Sequence, residues 1–167
     1  MTKSPNLRPD SIIMDNDEQF MNIALQLANN AYQLGEVPVG AVIVCSGQVI
    51  STGYNRRETD KNALRHAEMD AIDGACRALG GWRLSRCTLY VTLEPCPMCA
   101  GAIINSRIGR VVYGAADAKA GAFGSVLNMN FYPLNHKVSL TTGVCEKECR
   151  ELLQKFFLHL REKRSNK

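Results

Sequence analysis

Apolar residues recur along this chain at two spacings, and the change from one spacing to the other predicts its helices and strands. Residues 16–34 predict a helix, because their apolar positions are separated by four and three residues, the repeat of one helix face. Gly35 is expected to end this helix. Residues 39–45 and 48–54 predict the two strands of a hairpin, joined by a two-residue turn that contains glycine. The apolar positions of the helix are Phe20, Ala24, Leu27, Ala31 and Leu34.

The rest of the chain continues as an alternation of helices and strands. The glycine-rich residues 117–124 predict a loop. A hairpin followed by alternating helices and strands indicates the α/β class, here a three-layer α/β/α fold with a central mixed five-stranded sheet. The further helices are predicted over residues 66–79, 98–106 and 146–163, and the further strands over residues 88–93, 110–114 and 137–141. The residues of the second and last helices expected to face inward are Met69, Ile72, Cys76, Leu79, Cys149, Leu152, Leu153, Phe156, Phe157 and Leu160.

Length and composition indicate one globular domain. The chain has 167 residues, of which 46% are hydrophobic and 22% are charged, as in ordinary globular domains. We expect a disordered leader at residues 1–15, a folded domain at residues 16–164 and a disordered tail at residues 165–167. No apolar run approaches the ~20 residues that a membrane helix needs, and the N-terminal segment lacks the apolar core of a secretory signal. The expectation is a cytoplasmic protein with no membrane partner.

Two short motifs carry the candidate chemistry. They are His66-Ala67-Glu68 and Pro95-Cys96-Pro97-Met98-Cys99. One imidazole and two thiolates make three ligands for Zn²⁺, which prefers four, and catalytic zinc sites leave the fourth position to water. Zinc lowers the pKa of that water to roughly 7, and the carboxylate of Glu68, beside the histidine, is placed to move protons. The motifs therefore predict a hydrolytic zinc enzyme.

The local sequence around the second motif suits metal binding. Pro97 fits the first position of a helix, where its missing N–H costs nothing, so that Cys96 and Cys99 lie on the first turn. The positive end of a helix favours the thiolate form that zinc requires. His66 is likewise expected to lie at the start of its own helix. Two helix starts would then converge on one cation.

Each motif also has a simpler interpretation. Cys96 and Cys99 could form a disulfide or redox pair, although a chain with seven cysteines cannot pair them all, which argues against a disulfide framework. Glu68 could be an ordinary solvated helix residue. A non-catalytic RNA-binding module with structural zinc would need a fourth protein ligand, which no residue next to either motif obviously supplies. We do not expect His136 or His159 as ligands, because a catalytic site keeps its fourth position open.

Positive charge is concentrated at the C-terminal end of the chain. The formal net charge is +4, and residues 155–167 carry a single acid, Glu162, among several cations. Such a segment suits contact with phosphates. The alternative is a solvated helix end whose cations complement the helix dipole. The cations are Lys155, Arg161, Lys163, Arg164 and Lys167.

Together the two motifs match the pattern H-x-E…P-C-x-x-C of zinc nucleobase deaminases. From about residue 15 to about residue 164, the chain resembles the bacterial tRNA-specific adenosine deaminases. The most specific matching segments are residues 37–42, Asn55-Arg56 and residues 92–102, with shorter matches at residues 106–108, residues 113–115 and Phe156-Phe157. The loop before the histidine departs from the family: it reads Asn62-Ala63-Leu64-Arg65 where many members carry Asp-Pro-Thr-Ala.

This resemblance implies a cytidine-deaminase-like fold and an enzyme that converts adenosine to inosine at the wobble position of a tRNA anticodon. It implies one Zn²⁺ per subunit, held by His66, Cys96 and Cys99, with hydroxide on zinc attacking the adenine ring and Glu68 acting as proton shuttle. Asn55 would hydrogen-bond the flipped base. A member of the family would be a homodimer that binds the anticodon stem-loop. The residues at positions that resemble tRNA contacts are Asp117, Lys119, Phe157 and Arg161.

Some of these assignments have alternatives. Asn55 could be a turn residue after the second strand, and Trp82 could stack on RNA, although its place beside two glycines favours a packing role. The zinc pattern also does not separate adenosine in RNA from free bases or nucleotides such as cytosine, guanine or dCMP. The basic C-terminal helix and the family-specific segments favour RNA.

Overall fold

The protein folds into four helices and five strands over residues 16–167, which are the residues that the computed structural model describes. The predicted leader, residues 1–15, lies outside the described residues. No helix within residues 16–167 combines the length and the apolar character needed to cross a bilayer. The elements in chain order are α1 (Asn16–Gln33), β1 (Gly40–Cys45), β2 (Gln48–Tyr54), α2 (Ala67–Leu79), β3 (Cys87–Leu93), α3 (Pro97–Asn105), β4 (Arg110–Ala115), a 3₁₀ turn (Met129–Phe131), β5 (Ser139–Thr142) and α4 (Glu146–Ser165).

The strands form one mixed sheet in the order β2-β1-β3-β4-β5, which confirms the predicted architecture. Strand β1 runs antiparallel to β2 and β3, whereas β3, β4 and β5 are parallel. Gly40, the first residue of β1, pairs with Tyr54, the last of β2, and Leu93 at the end of β3 pairs with Ala115 at the end of β4. The start of β1 and the ends of β2, β3 and β4 therefore lie together at one end of the sheet.

Each face of the sheet is covered by its own helices, because successive strand residues point to opposite faces. The face covered by α2 and α3 contributes the strand residues Ala41, Ile43, Leu89, Val91 and Val111 to a buried core. The face covered by α1 and α4 contributes Val42, Val44, Tyr90 and Val112 to a second core. The result is the predicted three-layer α/β/α arrangement.

Small residues form much of the faces by which α1 and α2 contact the sheet. Ile72 is buried as predicted, but Leu34 and Leu79 are exposed, so the prediction of an inward face for these two leucines is wrong. Helix α2 packs so close to the sheet that its inner face has room mainly for small side chains. A Cβ atom added to Gly53 in β2, for example, would lie 2.2 Å from the carbonyl oxygen of Ala67, where α2 begins. The buried alanines are Ala24, Ala28 and Ala31 in α1 and Ala67, Ala71 and Ala75 in α2.

Helix α4 presents one aromatic residue to the core and a second to solvent. Phe156 is buried, but Phe157 is 42% exposed, so the prediction that Phe157 faces inward is wrong. Neighbouring residues point in different directions around a helix, and Phe156 takes the inward direction together with Cys149. The helix ends at Ser165, the first residue of the predicted tail.

A partly buried ion pair joins the start of α1 to the sheet. Arg110 donates from Nη1 to Oδ1 of Asp17 at 2.9 Å and from Nη2 to Oδ2 at 2.6 Å. The hydroxyl of Tyr90 also donates to Oδ1, at 2.8 Å. The hydrogen bonds from Arg110 lower the pKa of Asp17, and they outweigh the opposing effect of burial.

The depressed pKa of Asp17 predicts a pH-dependent contribution to stability. A carboxyl that is more acidic in the folded chain stabilises fully above its unfolded pKa of about 3.9, and this contribution is lost as the pH falls through the lower folded pKa. We expect Asp17→Asn to lower the free energy of unfolding by about 1–3 kcal/mol at pH 7 and by less at pH 3. Urea unfolding of both proteins at the two pH values measures this, and an equal difference at both would contradict it.

Candidate zinc centre and substrate pocket

Both motifs lie at the end of the sheet where β1 begins and β3 ends. Strand β3 ends at Leu93, three residues before Cys96, and Cys96 immediately precedes α3. His66 immediately precedes α2, which packs on the same face of the sheet as α3. The N-termini of two helices therefore meet at one place, as the sequence predicts.

His66 and Cys96 occupy equivalent positions at the starts of their helices. Both have an extended backbone, with φ −83° and ψ 152° at His66 and φ −73° and ψ 172° at Cys96. Neither side chain forms a hydrogen bond that caps its own helix. Pro97 occupies the first turn of α3, as predicted. Both side chains are thus free to face one another, close to two positive helix ends that favour a thiolate.

The three candidate ligands are spaced as a zinc ion requires. Nδ1 of His66 lies 3.7 Å from Sγ of Cys96 and 3.5 Å from Sγ of Cys99. Tetrahedral zinc, with bonds of about 2.3 Å to sulfur and about 2.0–2.1 Å to nitrogen, separates its ligand atoms by roughly 3.5–3.8 Å. Among residues 16–167, this is the one group of three or more histidine, cysteine or acidic residues close enough to hold a metal. Three protein ligands leave one tetrahedral position for a ligand from outside the protein.

The two cysteines differ in acidity because they share a hydrogen bond. The bond from Cys99, with a further contribution from His66, lowers the pKa of Cys96 to about 4 against the opposing effect of burial. The same hydrogen bond, together with burial, raises the pKa of Cys99. Contact with Cys96 raises the pKa of His66. Negative charge is thus already stabilised on one sulfur, and sulfur binds zinc as thiolate.

Glu68 lies in the first turn of α2 and lines the same cavity as His66 and Cys96. It is only 4% exposed, so the interpretation of Glu68 as a solvated helix residue is wrong. Desolvation raises its pKa to about 7. A carboxyl that titrates near neutral pH can both accept and donate a proton, which is the property that general acid–base catalysis uses.

A cavity of about 220 Å³ is lined by two of the three candidate ligands, His66 and Cys96. Its apolar lining comes from Val37 and Val39, which precede β1, and from Leu93 at the end of β3. Its polar lining includes three residues that the sequence predicts for the site, namely Glu68, Asn55 and Asp117. A small, mostly apolar cavity with a few polar groups is typical of a ligand site.

Asn55 is buried between two segments of the pocket wall. Its Nδ2 donates to the carbonyl oxygen of Val37 at 3.1 Å, and its Oδ1 accepts from the backbone N–H of Arg57 at 3.2 Å. A carboxamide has two N–H donors and two acceptor lone pairs, so one donor and one acceptor remain. The side chain therefore holds the wall and keeps hydrogen-bonding capacity for a bound base.

Asp117 lines the pocket, but its carboxylate also folds its own loop. Oδ1 accepts from the backbone N–H of Lys119 at 2.9 Å and from that of Ala120 at 3.2 Å. This is the local turn that Asp side chains favour. Lys119 itself is exposed and does not line the pocket.

Two further pocket residues were not predicted as site residues. Arg57 lines the cavity beside Asn55 and places a cation there. Glu94 is 2% exposed at the end of β3. Burial by itself would raise the pKa of Glu94, but the hydroxyl of Ser125 and several backbone N–H groups lower it below its ordinary value. The available signal was an acidic residue that directly follows an apolar strand.

The remaining predicted contact residues lie away from the cavity. Phe157 and Arg161 are on the exposed side of α4 and do not line it. Trp82 is 51% exposed, and the guanidinium of Arg83 lies 4.2 Å from its ring centroid, so its ring packs against an arginine at the surface and not in the core. These side chains are available for contact with a partner, outside the zinc centre.

Comparisons with known proteins agree with this chemistry. The family model of the MafB19-like deaminases matches residues 14–161. The tRNA-specific adenosine deaminase of Bacillus subtilis is 49% identical over 152 residues, which cover 90% of this chain and 94% of that protein. The corresponding deaminase of Haemophilus influenzae is 45% identical over 150 residues, which cover 89% and 87% of the two chains.

A solved structure supports the same relationship. It comes from a study of A-to-I editing by tRNA:A34 deaminases at the wobble position of transfer RNA. Its TM-score to this chain is 0.78 at 44% sequence identity, and the match covers 80% of this chain and 98% of the other. The two structures therefore share their fold over about four-fifths of this chain.

Proposed function

Because this chain belongs to the tRNA-specific adenosine deaminases, we propose that it hydrolyses the wobble adenosine of a tRNA anticodon to inosine. One observation carries the proposal: His66, Cys96 and Cys99 form a group of three candidate zinc ligands, and two of them, His66 and Cys96, line a pocket together with a buried carboxyl, Glu68. Three ligands fit one Zn²⁺ per subunit with one position open. A structural zinc site would need no such carboxylate.

Different residues of the pocket have separate roles in the proposed reaction. When bound, Zn²⁺ supplies a water acidic enough to yield hydroxide near neutral pH. Glu68 would accept one proton of that water and deliver it to ring nitrogen N1 of adenine. It would then take the proton of the hydroxyl added at carbon C6 and deliver it to the amino group, which leaves as ammonia. Asn55 hydrogen-bonds the base, and the apolar wall around Val39 limits the access of other water. The chain thereby holds the base and moves the protons.

The substrate must present an adenine that can leave its stack. Flipping a base costs a few kcal/mol, and the cost is smallest in a single-stranded loop, which describes an anticodon. The basic C-terminal half of α4, with Arg161 and the exposed ring of Phe157, offers cations and an aromatic face for such a loop. Lys119 and Arg57 add positive charge near the pocket. We place this activity in the cytoplasm, where tRNA is used in translation.

The decisive experiment is incubation of the zinc-loaded protein with an anticodon stem-loop that carries adenosine at the wobble position. Free cytidine and free guanine are assayed in parallel. We expect inosine in the stem-loop and little product from the free compounds. The matched control is the same stem-loop with its adenosine moved one position away. Deamination of only the free compounds would assign the protein to another deaminase activity.

Asn55→Ala is expected to impair catalysis far more than folding. The variant loses two hydrogen bonds of the pocket wall, at about 1–3 kcal/mol of unfolding free energy, and also its contact with the base. We expect kcat/KM for the stem-loop to fall by roughly 100-fold or more, about 2.7 kcal/mol of transition-state binding. Urea unfolding and inosine formation measure the two effects. If activity falls only as much as the folded fraction, Asn55 is a turn residue.

The protein is expected to work as a homodimer. The segment after the pocket loop exposes large apolar side chains: Phe131 is 85% exposed, and Tyr132 and Leu134 are also exposed. A cleft of about 300 Å³ lies between this segment and α3. Contiguous exposed apolar surface marks an interaction site, and a second copy of the chain is the partner that the family implies.

We expect Phe131→Asp to convert the dimer to a monomer in sedimentation experiments. A charge placed in an apolar interface must be desolvated, which opposes association. The matched control is Phe157→Asp, which places the same charge on an exposed aromatic position of α4 and should leave the dimer intact. A wild-type chain that sediments as a monomer, or a dimer in Phe131→Asp, would contradict the proposed surface.

A further inference from the structure

Glu94 joins the metal centre to the loop on the opposite wall of the pocket. It follows β3 directly and lies two residues before Cys96. Its backbone N–H donates to the carbonyl oxygen of Ala115, at the end of β4, at 2.8 Å. Its backbone is therefore fixed by the sheet, and its side chain is buried. A buried carboxylate requires hydrogen-bond donors, which identifies the residues that it organises.

Within residues 16–167, the donors to the Glu94 carboxylate all come from the loop at residues 117–125. Oε1 accepts from the backbone N–H groups of Phe123, at 3.0 Å, and Ser125, at 3.1 Å. Oε2 accepts from the backbone N–H of Asp117, at 3.0 Å, and from the hydroxyl of Ser125. The first and last residues of the loop thus bind one carboxylate. Each oxygen already accepts two hydrogen bonds.

The loop is also packed tightly around this carboxylate. A Cβ atom added to Gly121 would lie 2.3 Å from Cδ of Glu94 and 2.6 Å from the carbonyl oxygen of Asp117. The backbone N–H of Ala122 donates to the carbonyl oxygen of Pro95 at 2.9 Å. The loop therefore wraps around the Glu94 side chain, and this conformation places Asp117 and Ala120 in the pocket wall.

We propose that Glu94 is a positioning residue that fixes the 117–125 loop as one wall of the substrate pocket and thereby sets the affinity for RNA. The proposal rests on the function proposed above. Glu94 does not belong to the group of candidate metal ligands, and its oxygens face the loop. Its replacement should therefore alter the binding of the stem-loop more than the chemical step, which uses Glu68 and zinc.

Glu94→Gln tests this role with little change of shape. An amide nitrogen donates and cannot accept. If it replaces Oε2, the N–H of Asp117 loses its acceptor; if it replaces Oε1, the N–H groups of Phe123 and Ser125 lose theirs. The matched control is Ser125→Ala, which removes one hydroxyl donor and leaves the three backbone hydrogen bonds in place.

We expect Glu94→Gln to raise KM for the stem-loop by roughly 10-fold, with kcat changed less than about 3-fold and full zinc content, because a buried backbone donor loses its partner. Ser125→Ala should raise KM by less than about 3-fold. An unchanged KM in Glu94→Gln would overturn the proposal. A loss of zinc or a fall in kcat at constant KM would also overturn it, because that result assigns Glu94 to the metal centre.

Amide hydrogen exchange tests the inference independently of activity. In Glu94→Gln the amides of residues 117–125 should exchange faster, while those of α3 keep the protection of the wild-type protein. Equal exchange in the loop, or faster exchange throughout α3, would contradict a role confined to the loop. If the wild-type protein fails to deaminate the stem-loop, the proposed function fails, and the exchange experiment still decides whether Glu94 holds the loop.

Discussion

Turnover of the wobble adenosine is expected to fall by about 10²–10⁴-fold when Glu68 is replaced by Ala or Gln, because Glu68 is the buried carboxyl with a pKa near neutral that lines the pocket beside His66 and Cys96. The zinc content should stay at one ion per subunit, since the ligand atoms that converge belong to His66, Cys96 and Cys99. The fold should also survive. Removing a carboxylate from a buried site relieves a desolvation cost, so the thermal midpoint should be unchanged or higher.

Single-turnover inosine formation and zinc analysis of the same preparations measure this result. The matched control is Glu36→Gln, which alters another buried glutamate. Glu36 does not line the cavity, and its Oε1 accepts from the backbone N–H of Thr59 at 2.6 Å, a hydrogen bond that an amide oxygen can keep. We expect this control to retain turnover within a few-fold. Unchanged turnover in a zinc-loaded Glu68 variant would remove Glu68 from the chemistry.

The metal centre could be read from the sequence because its physical requirements are local. Zinc needs particular ligand types, and the spacing of Cys96 and Cys99 places them at the start and in the first turn of the helix that Pro97 begins. The sheet could be predicted for a similar reason, since the alternation of strand and helix patterns is visible within short windows. The sequence also places His66 and Cys96 at the starts of two helices, which led to the prediction that the two helix starts meet at one cation.

Other features depend on contacts that no short window contains. Helices α1 and α2 pack through alanines, which carry a weaker hydrophobic signal than Leu34 and Leu79, although these leucines are exposed. The hydrogen bonds of Glu94 join residues that lie 23 to 31 positions apart in the chain. Such a role emerges only when β3 and the loop after β4 are brought together in the folded protein. The orientation of α4 on the sheet likewise decides that Phe156 is buried and Phe157 is exposed, which the sequence of neighbouring aromatic residues does not show.

Loss of a single zinc ligand should abolish activity altogether. We expect Cys99→Ser to leave less than about a tenth of the wild-type zinc content and no detectable inosine, because a neutral serine hydroxyl is a far weaker ligand for zinc than a thiolate. Cys99 is fully buried in the first turn of α3. Among the residues that the structure describes, His66, Cys96 and Cys99 are the one group close enough to hold a metal, so the variant keeps only two of its three ligands.

The control for this prediction is Cys149→Ser, which alters a buried cysteine of α4 that lies on the opposite face of the sheet. Both variants place a hydroxyl in a buried site, so both should lose some stability. Only Cys99→Ser should lose zinc, and added zinc should not restore it, whereas chelator-treated wild-type protein should recover with zinc. Zinc stoichiometry, measured together with inosine formation, separates these cases. Full zinc content in Cys99→Ser would show that Cys99 is not a ligand, and the interpretation of the metal centre would fail with it.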